Sequence, residues 1–167
     1  MANGDETSFE HWVRQYQAFL YRAAWALTGE RTLAQDLVQE TFAQAWRARA
    51  QLRQPAAAQG WLYRILCRAA LRQRREPWAP WDEADCAGAV AELPALDARI
   101  DLVRALQRIA PAHREILVLY YLTDMDYAQL AAALDIPAGT VMSRLHRARQ
   151  ALRRALGEDD TDDANAR

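Results

Sequence analysis

Lysine is absent from this chain of 167 residues, so all 21 of its basic side chains are arginines. Long apolar runs are absent too, since the longest, Ile116 to Leu122, has seven residues and a membrane span needs roughly 20. The N-terminus lacks the basic start and apolar core of a signal peptide. We therefore expect a cytoplasmic protein without membrane insertion.

The sequence is also poor in the residues that build catalytic and metal sites. Two cysteines, Cys67 and Cys86, are too few for a disulfide framework, and neither stands in a CxxC or histidine spacing that would bind zinc. No Ser/His/Asp, paired-carboxylate or phosphate-loop pattern appears, so we expect no enzyme, no catalytic residue, no metal and no cofactor. Cys67 is expected to be a buried structural thiol, with a redox sensor as the alternative.

Charge is distributed unevenly, although the net value is only −1. Residues 1–78 carry +4, residues 79–100 carry −4, residues 101–156 carry +3 and residues 157–167 carry −4. Two basic modules separated by an acidic segment are typical of a protein whose modules contact a polyanion. Arginine suits this contact because its planar fork matches phosphates and guanine edges.

Apolar residues recur at steps of three and four through most of the chain, which predicts an all-α fold. The periodicity stops between Glu76 and Leu96, where Pro77, Pro80 and Pro94 accompany several acids. We predict two small helical domains, at 1–76 and 96–156, joined by a flexible acidic linker at 77–95 and followed by an acidic tail at 157–167.

The strongest motif is YAQLAAALDIPAGTVMSRLHRAR, residues 127–149. A short helix capped by Asp126, a three-residue break and a longer basic helix form the helix-turn-helix pattern. The outward face of the longer helix predicts a DNA-reading set comprising Thr140, Ser143, Arg144 and Arg147. The alternative is a solvated basic helix in an all-α domain.

The second motif is QGWLYRILCRAALRQRR, residues 59–75. One face is apolar and the other is basic, and a basic helix face suits contact with a nucleic-acid backbone. Trp61 and Tyr63 can offer stacking surface to unpaired bases. Taken alone, a core Trp61 with solvated arginines is the simpler interpretation. The candidate DNA-binding residues here are Trp61, Arg64, Arg68, Arg72 and Arg75.

The third motif is DLVQETFAQAW, residues 36–46. Its polar face presents Asp36, Gln39 and Glu40, a mixed and acidic surface that suits a basic protein better than phosphate. Taken alone, a solvated helix face is the simpler interpretation.

In this order and separation, the three motifs resemble those of the extracytoplasmic-function (ECF) sigma factors of the primary sigma family, over residues 9–75 and 96–156. The resemblance implies that Asp36, Gln39 and Glu40 bind the clamp helices of core RNA polymerase. It implies that the Trp61–Arg75 helix engages the minus-ten promoter element and that the helix-turn-helix reads the minus-thirty-five element. Arg68 stands where the family usually has Asn, Gln129 where it usually has Glu, and Ala110 where it usually has Leu.

The resemblance also implies partners and a mechanism. The partners are core RNA polymerase, through its clamp helices and flap, promoter DNA and a cognate anti-sigma factor that occludes both basic modules. The non-template strand would lie between the Arg53–Gln59 loop and the Trp61–Arg75 helix. The acidic linker would occupy the polymerase's RNA-exit region, and plain solubilising disorder is the alternative.

Two other classes of function remain open at this point. A stand-alone helix-turn-helix regulator would bind duplex DNA tightly without polymerase, whereas a sigma factor binds promoters well only with it. A degenerate sigma-like module that titrates an inhibitor is disfavoured by intact Arg144 and Arg147.

Overall fold

The structure is a computed structural model, which describes residues 2–73 and 93–157. These residues confirm the all-α class, because they form helices and no strand. None of the described helices is long and apolar enough to cross a membrane. Most of the predicted linker and nearly all of the acidic tail lie outside the described residues. The helices are α1 (Ala2–Thr28), α2 (Arg31–Ala48), α3 (Ala58–Gln73), α4 (Leu93–Arg108), α5 (Pro111–Leu122), α6 (Tyr127–Leu134) and α7 (Ala138–Leu156).

Helix boundaries follow local chemistry at several positions. Gly29, which follows α1, has φ +82°, a left-handed conformation that glycine adopts without steric cost. Pro111 occupies the first turn of α5, where its missing N–H group has no helical partner to lose. The fourth helix begins at Leu93, three residues before the predicted start, so Pro94 lies in its first turn rather than in the linker.

The first three helices form one helical unit. Phe9, near the start of α1, contacts Phe42 and Trp46, near the end of α2, so the two helices run antiparallel. Two short 3₁₀ turns, Arg49–Gln51 and Pro55–Ala57, connect α2 to α3. The side chains at the centre of this unit are fully buried and include Leu20, Leu37, Leu62, Tyr63 and Leu66.

The last four helices form a second unit around α5. Ile116, Leu117 and Leu119 are buried, but Tyr121 is 63% exposed, so the seven-residue apolar run at 116–122 is not buried along its whole length. The α6–α7 pair is the predicted helix-turn-helix. Its turn contains Asp135 in the left-handed region at φ +54°.

The two units pack against each other, an arrangement that the sequence pattern does not predict. Helix α1 contacts α4 and α5, and α3 contacts α6. A Cβ atom built on Gly60 of α3 would lie 3.0 Å from the Cβ of Ala133 on α6, so glycine permits this close approach. Buried residues of both units therefore belong to one continuous apolar core.

Arg114 of α5 joins the two units through a buried guanidinium group that is 3% exposed. Its Nη1 donates to the carbonyl oxygen of Leu27 in α1 at 2.7 Å and to Oε1 of Gln107 at 2.8 Å. Its Nε donates to the Leu106 carbonyl at 2.6 Å, and its Nη2 donates to the carbonyls of Gln107 and Ile109, both at 3.1 Å. The cation thus satisfies all five of its N–H groups at the carboxyl ends of α1 and α4, where helix dipoles favour positive charge.

We predict that Arg114→Met lowers the free energy of unfolding by about 2–5 kcal/mol, because it leaves several buried carbonyl oxygens without donors. Urea denaturation followed by circular dichroism measures the change. The matched control is Arg99→Met at an exposed position of α4, which should change stability by less than about 0.5 kcal/mol. Equal stability of the two variants would contradict a stabilising role for Arg114.

Candidate nucleic-acid and polymerase interfaces

The predicted DNA-reading residues lie on the outward side of α7. Val141, Leu145 and Ala148 of the same helix are buried against the unit, which turns the opposite side outward. Ser143 and Arg147 are exposed, whereas Thr140 and Arg144 are half-buried. The structure therefore places these four predicted residues together on an accessible surface.

The start of the helix-turn-helix is held by a complete capping box. The Asp126 carboxylate accepts a bond from the Gln129 N–H at 2.8 Å, and Gln129 Oε1 accepts one from the Asp126 N–H at 2.9 Å. The predicted N-cap is confirmed. Because glutamine fulfils the reciprocal role as well as glutamate does, the departure at Gln129 leaves the motif intact.

Arg149 is a basic residue of α7 that lies against α5 and was not among the predicted DNA-reading residues. Its Nε donates to the Tyr121 hydroxyl at 3.2 Å, and its guanidinium carbon lies 5.0 Å from the centre of the Tyr120 ring. The bond to Tyr121 raises the pKa of Arg149. These contacts link α7 to α5 and restrict the orientation of α7.

The predicted minus-ten residues occupy one side of α3. Trp61 and Arg64 are half-buried, whereas Arg68 and Arg72 are exposed. Arg75 lies outside the described residues. The connection before this helix is accessible, because residues 53–57 are exposed.

Tyr63 is not available as a stacking surface, contrary to the sequence-based suggestion. The side chain is fully buried, and its hydroxyl donates to the carbonyl oxygen of Glu115 in α5 at 2.8 Å. Burial raises the pKa of Tyr63 well above its usual value. Tyr63 is buried because the two units pack together, and local spacing could not predict this because the residue that accepts its bond lies 52 positions away.

The predicted polymerase-binding residues lie on α2, where Asp36 and Gln39 are exposed and Glu40 is half-buried. Glu40 Oε1 accepts one bond from Gln44 Nε2 and another from Arg72 Nη2, both at 2.7 Å. Glu40 and Arg72, assigned from the sequence to different partners, thus form an ion pair between α2 and α3. With side chains 38% and 56% exposed, the pair is partly screened by solvent and contributes modestly to stability.

Four aromatic rings form a chain of contacts from α3 to the end of α2. Of these four residues, only Trp61 was among the predicted site residues. The Trp61 ring lies 6.4 Å from that of Trp12, at an interplanar angle of 69°. Phe9 lies 6.1 Å from Trp12 and 4.9 Å from Trp46. We call this set, Trp61–Trp12–Phe9–Trp46, the aromatic wall. In the sequence, the signal for this set is that Phe9 and Trp12 are three residues apart on one helix, a spacing that places two side chains next to each other.

Cys67 lies at the interface between the two units. It lines a cavity of about 20 Å³, with room for about one water molecule. Burial and the nearby Glu115 carboxylate raise the pKa of the Cys67 thiol. This environment favours the structural interpretation of the cysteine, because thiolate is the reactive form. No three histidine, cysteine or acidic side chains within the described ranges are arranged to hold a metal ion.

Comparisons with known proteins place both units in one family of sequences. The family model "Sigma-70 region 2" matches residues 12–79, and "Sigma-70, region 4" matches residues 99–152. The chain is 33% identical to the ECF RNA polymerase sigma factor SigE of Mycolicibacterium smegmatis, over 99% of this chain and 69% of that protein. It is also 33% identical to the RNA polymerase sigma-E factor of Streptomyces coelicolor, over 95% of this chain and 92% of that protein.

Two solved structures share the fold. The sigma factor RpoE from Bartonella quintana, in complex with the anti-sigma factor NepR, superposes with a TM-score of 0.70 at 24% identity, covering 91% of this chain and 98% of that one. CnrH, in complex with the cytosolic domain of CnrY, superposes with a TM-score of 0.69 at 26% identity, covering 92% and 90%. Both superpositions span both helical units.

We predict that iodoacetamide alkylates Cys67 at least tenfold more slowly in the native protein at pH 8.5 than in urea. Burial raises the thiol pKa in the folded state, whereas unfolding returns it toward about 8.5 and restores thiolate. In a Cys86→Ser variant Cys67 is the remaining cysteine, so its alkylation alone is measured. The alkylation rate of glutathione in the same buffers shows how each buffer affects the reagent itself. Similar native and denatured rates would instead support the redox-sensor alternative.

Proposed function

The chain belongs to the ECF sigma factors of the sigma-70 family, and from this premise we propose which surfaces carry out transcription initiation. A sigma factor binds core RNA polymerase and directs it to promoters. The observation that supports the assignment here is the accessible face of α7, where Arg144 and Arg147 lie one helical turn apart, opposite the buried side. A recognition helix needs this division between a basic outer face and an apolar inner face.

In this proposal, α7 enters the major groove of the minus-thirty-five element. Arg144 and Arg147 present guanidinium forks, which can bind a guanine edge bidentately or clamp phosphate. Thr140 and Ser143 lie near the amino-terminal end of the helix, where hydroxyls and the helix dipole favour phosphate oxygens. Arg149 orients α7 through its contacts with Tyr121 and Tyr120 of α5.

The first helical unit binds the minus-ten element and its opened strand. Arg64 and Arg68 lie beside Trp61 on one side of α3, next to the exposed 53–57 segment. Cationic groups neutralise the strand's phosphates and a ring supports an unpaired base, the combination that single-stranded DNA requires. Arg72 lies farther along the helix and reaches DNA only by leaving its ion pair with Glu40.

Core polymerase binds the polar face of α2 through Asp36, Gln39 and Glu40, with its clamp helices as the partner, while its flap receives the second unit. The acidic side chains complement a basic protein surface. We further propose that the chain is not an enzyme and acts in the cytoplasm, as transcription initiation requires. A cognate anti-sigma factor is the remaining partner, in line with the complex that RpoE of Bartonella quintana forms with the anti-sigma factor NepR.

The packed arrangement of the two units has to open when the chain occupies a promoter. The two promoter elements lie roughly 25 base pairs apart, or about 85 Å along B-DNA. A compact chain of this length is only about 40 Å across. Helices α4, α5 and α6 must therefore separate from α1 and α3 before both elements can be contacted. In this proposal the packed form is inactive until the chain binds polymerase.

Run-off transcription with purified core polymerase and genomic promoter fragments tests the function. We predict that Arg144→Ala and Arg147→Ala each weaken promoter binding of the holoenzyme by about 1–3 kcal/mol where the residue contacts a base. Arg99→Ala, exposed on α4, is the matched control and should bind as the wild type does. Unchanged affinity in both α7 variants would remove the recognition-helix assignment, and tight promoter binding without polymerase would favour a stand-alone regulator.

A disulfide between α3 and α6 tests whether the units must separate. The 3.0 Å approach at Gly60 and Ala133 is close to the Cβ separation of about 3.5–4.5 Å that disulfides adopt. We predict that Gly60→Cys/Ala133→Cys, with Cys67 and Cys86 replaced by serine, loses transcription when oxidised and regains it on reduction. The single Gly60→Cys variant in the same background controls for the oxidant. Normal transcription by the oxidised double variant would show that opening is unnecessary.

A further inference from the structure

The aromatic wall connects the two ends of the segment that links α2 to α3. Trp46 lies just before the segment, with the Arg49 guanidinium carbon 4.1 Å from its ring centre. Trp61 lies just after it, and Phe9 and Trp12 of α1 fill the space between these two rings. Helix α1 therefore contributes to the same end of the unit as the residues proposed to hold the opened strand.

The exposure of these rings distinguishes them from core aromatics. Tyr63 and Phe19 of the same unit are 0% and 5% exposed, whereas all four rings of the wall are only half-buried. Trp12 and Trp61 meet at 69°, so together they form a corner rather than a flat stack. A base that stacks on one of two such rings meets the edge of the other, an arrangement favourable to aromatic groups.

The charge near this end of the unit matches a nucleic-acid strand. Arg53 in the connection and Arg68 on α3 are exposed, and Arg64 is half-buried. None of these three arginines hydrogen-bonds or ion-pairs with another described residue, so their guanidinium groups are available to phosphate. Half-buried rings bordered by available arginines are the features by which proteins bind single strands, with one base stacked on each ring.

We propose that Trp12 is a promoter-contacting residue, which forms with Trp61 the surface that receives an unpaired base of the non-template strand. The inference rests on the proposed function and extends the minus-ten site from α3 onto α1. The ligand is a base in single-stranded DNA, because a base in duplex is stacked on its neighbours and presents no free face. Phe9 supports the Trp12 ring from the side of Trp46.

The experiment compares holoenzymes containing wild-type chain, Trp12→Leu, Trp12→Phe and Trp25→Leu. Leucine preserves apolar bulk without a ring, and phenylalanine restores a ring. Trp25 is the matched control, because it is a half-buried tryptophan on the same helix that lies under Arg31 at the opposite end. The probes are a fork-junction DNA with an unpaired non-template strand, built from a promoter that the wild type transcribes, and the fully duplex upstream half of that promoter.

We expect Trp12→Leu to bind the fork junction about tenfold more weakly, the scale of losing one base–ring stack, while its affinities for core polymerase and for the upstream duplex stay unchanged. Trp12→Phe should recover most of the loss, and Trp25→Leu should bind both probes as the wild type does. A 5-bromouracil in the unpaired strand should cross-link under ultraviolet light to α1 of the wild type.

Equal fork-junction binding by Trp12→Leu and the wild type would overturn the inference while leaving the proposed function intact. So would parallel losses of core affinity or thermal stability, because they would show that Trp12 only supports the fold. If the wild-type holoenzyme neither transcribes nor binds the fork junction, the proposed function fails and the inference fails with it.

Discussion

The buried guanidinium of Arg114 is the interaction on which the packed arrangement depends. Arg114 lies on α5 and donates to a carbonyl of α1 and to carbonyls at the end of α4. One side chain therefore caps the carboxyl ends of helices from both units. A buried cation is costly to desolvate unless all its donors are satisfied. Arg114 therefore needs carbonyl oxygens from both units to keep its donors satisfied, and separating the units gives up its bond to Leu27.

Helix packing, both within a unit and between the two units, gives some residues roles that differ from those of their neighbours in sequence. Tyr63 follows Trp61 by two positions, yet its hydroxyl is bonded to α5 while Trp61 stays partly accessible. Arg149 follows Arg147 by two positions, yet it is held by tyrosines while Arg147 faces outward. The proposed promoter surfaces are thus those that remain exposed after each unit, and then the pair of units, has packed.

Much of the fold and of the candidate site could be predicted, because periodicity and capping act over a few residues. The all-α class, the Asp126 cap and the outward face of α7 all follow from spacings of one helical turn. The Glu40–Arg72 ion pair and the Trp12–Trp61 contact could not be predicted in this way. Their partners lie 32 and 49 positions apart in the sequence, and only the packing of the helices brings them together.

The amino-acid sequence by itself determined the helices, their apolar and basic faces, and the three motifs that indicate a sigma factor, since each depends on contacts within one or two turns. Tertiary structure alone decided that Tyr63 is buried, that Arg114 connects both units and that Trp12 lies beside Trp61. These outcomes depend on how helix faces distant in sequence pack together, and local patterns specify which face is apolar but not which apolar face it meets.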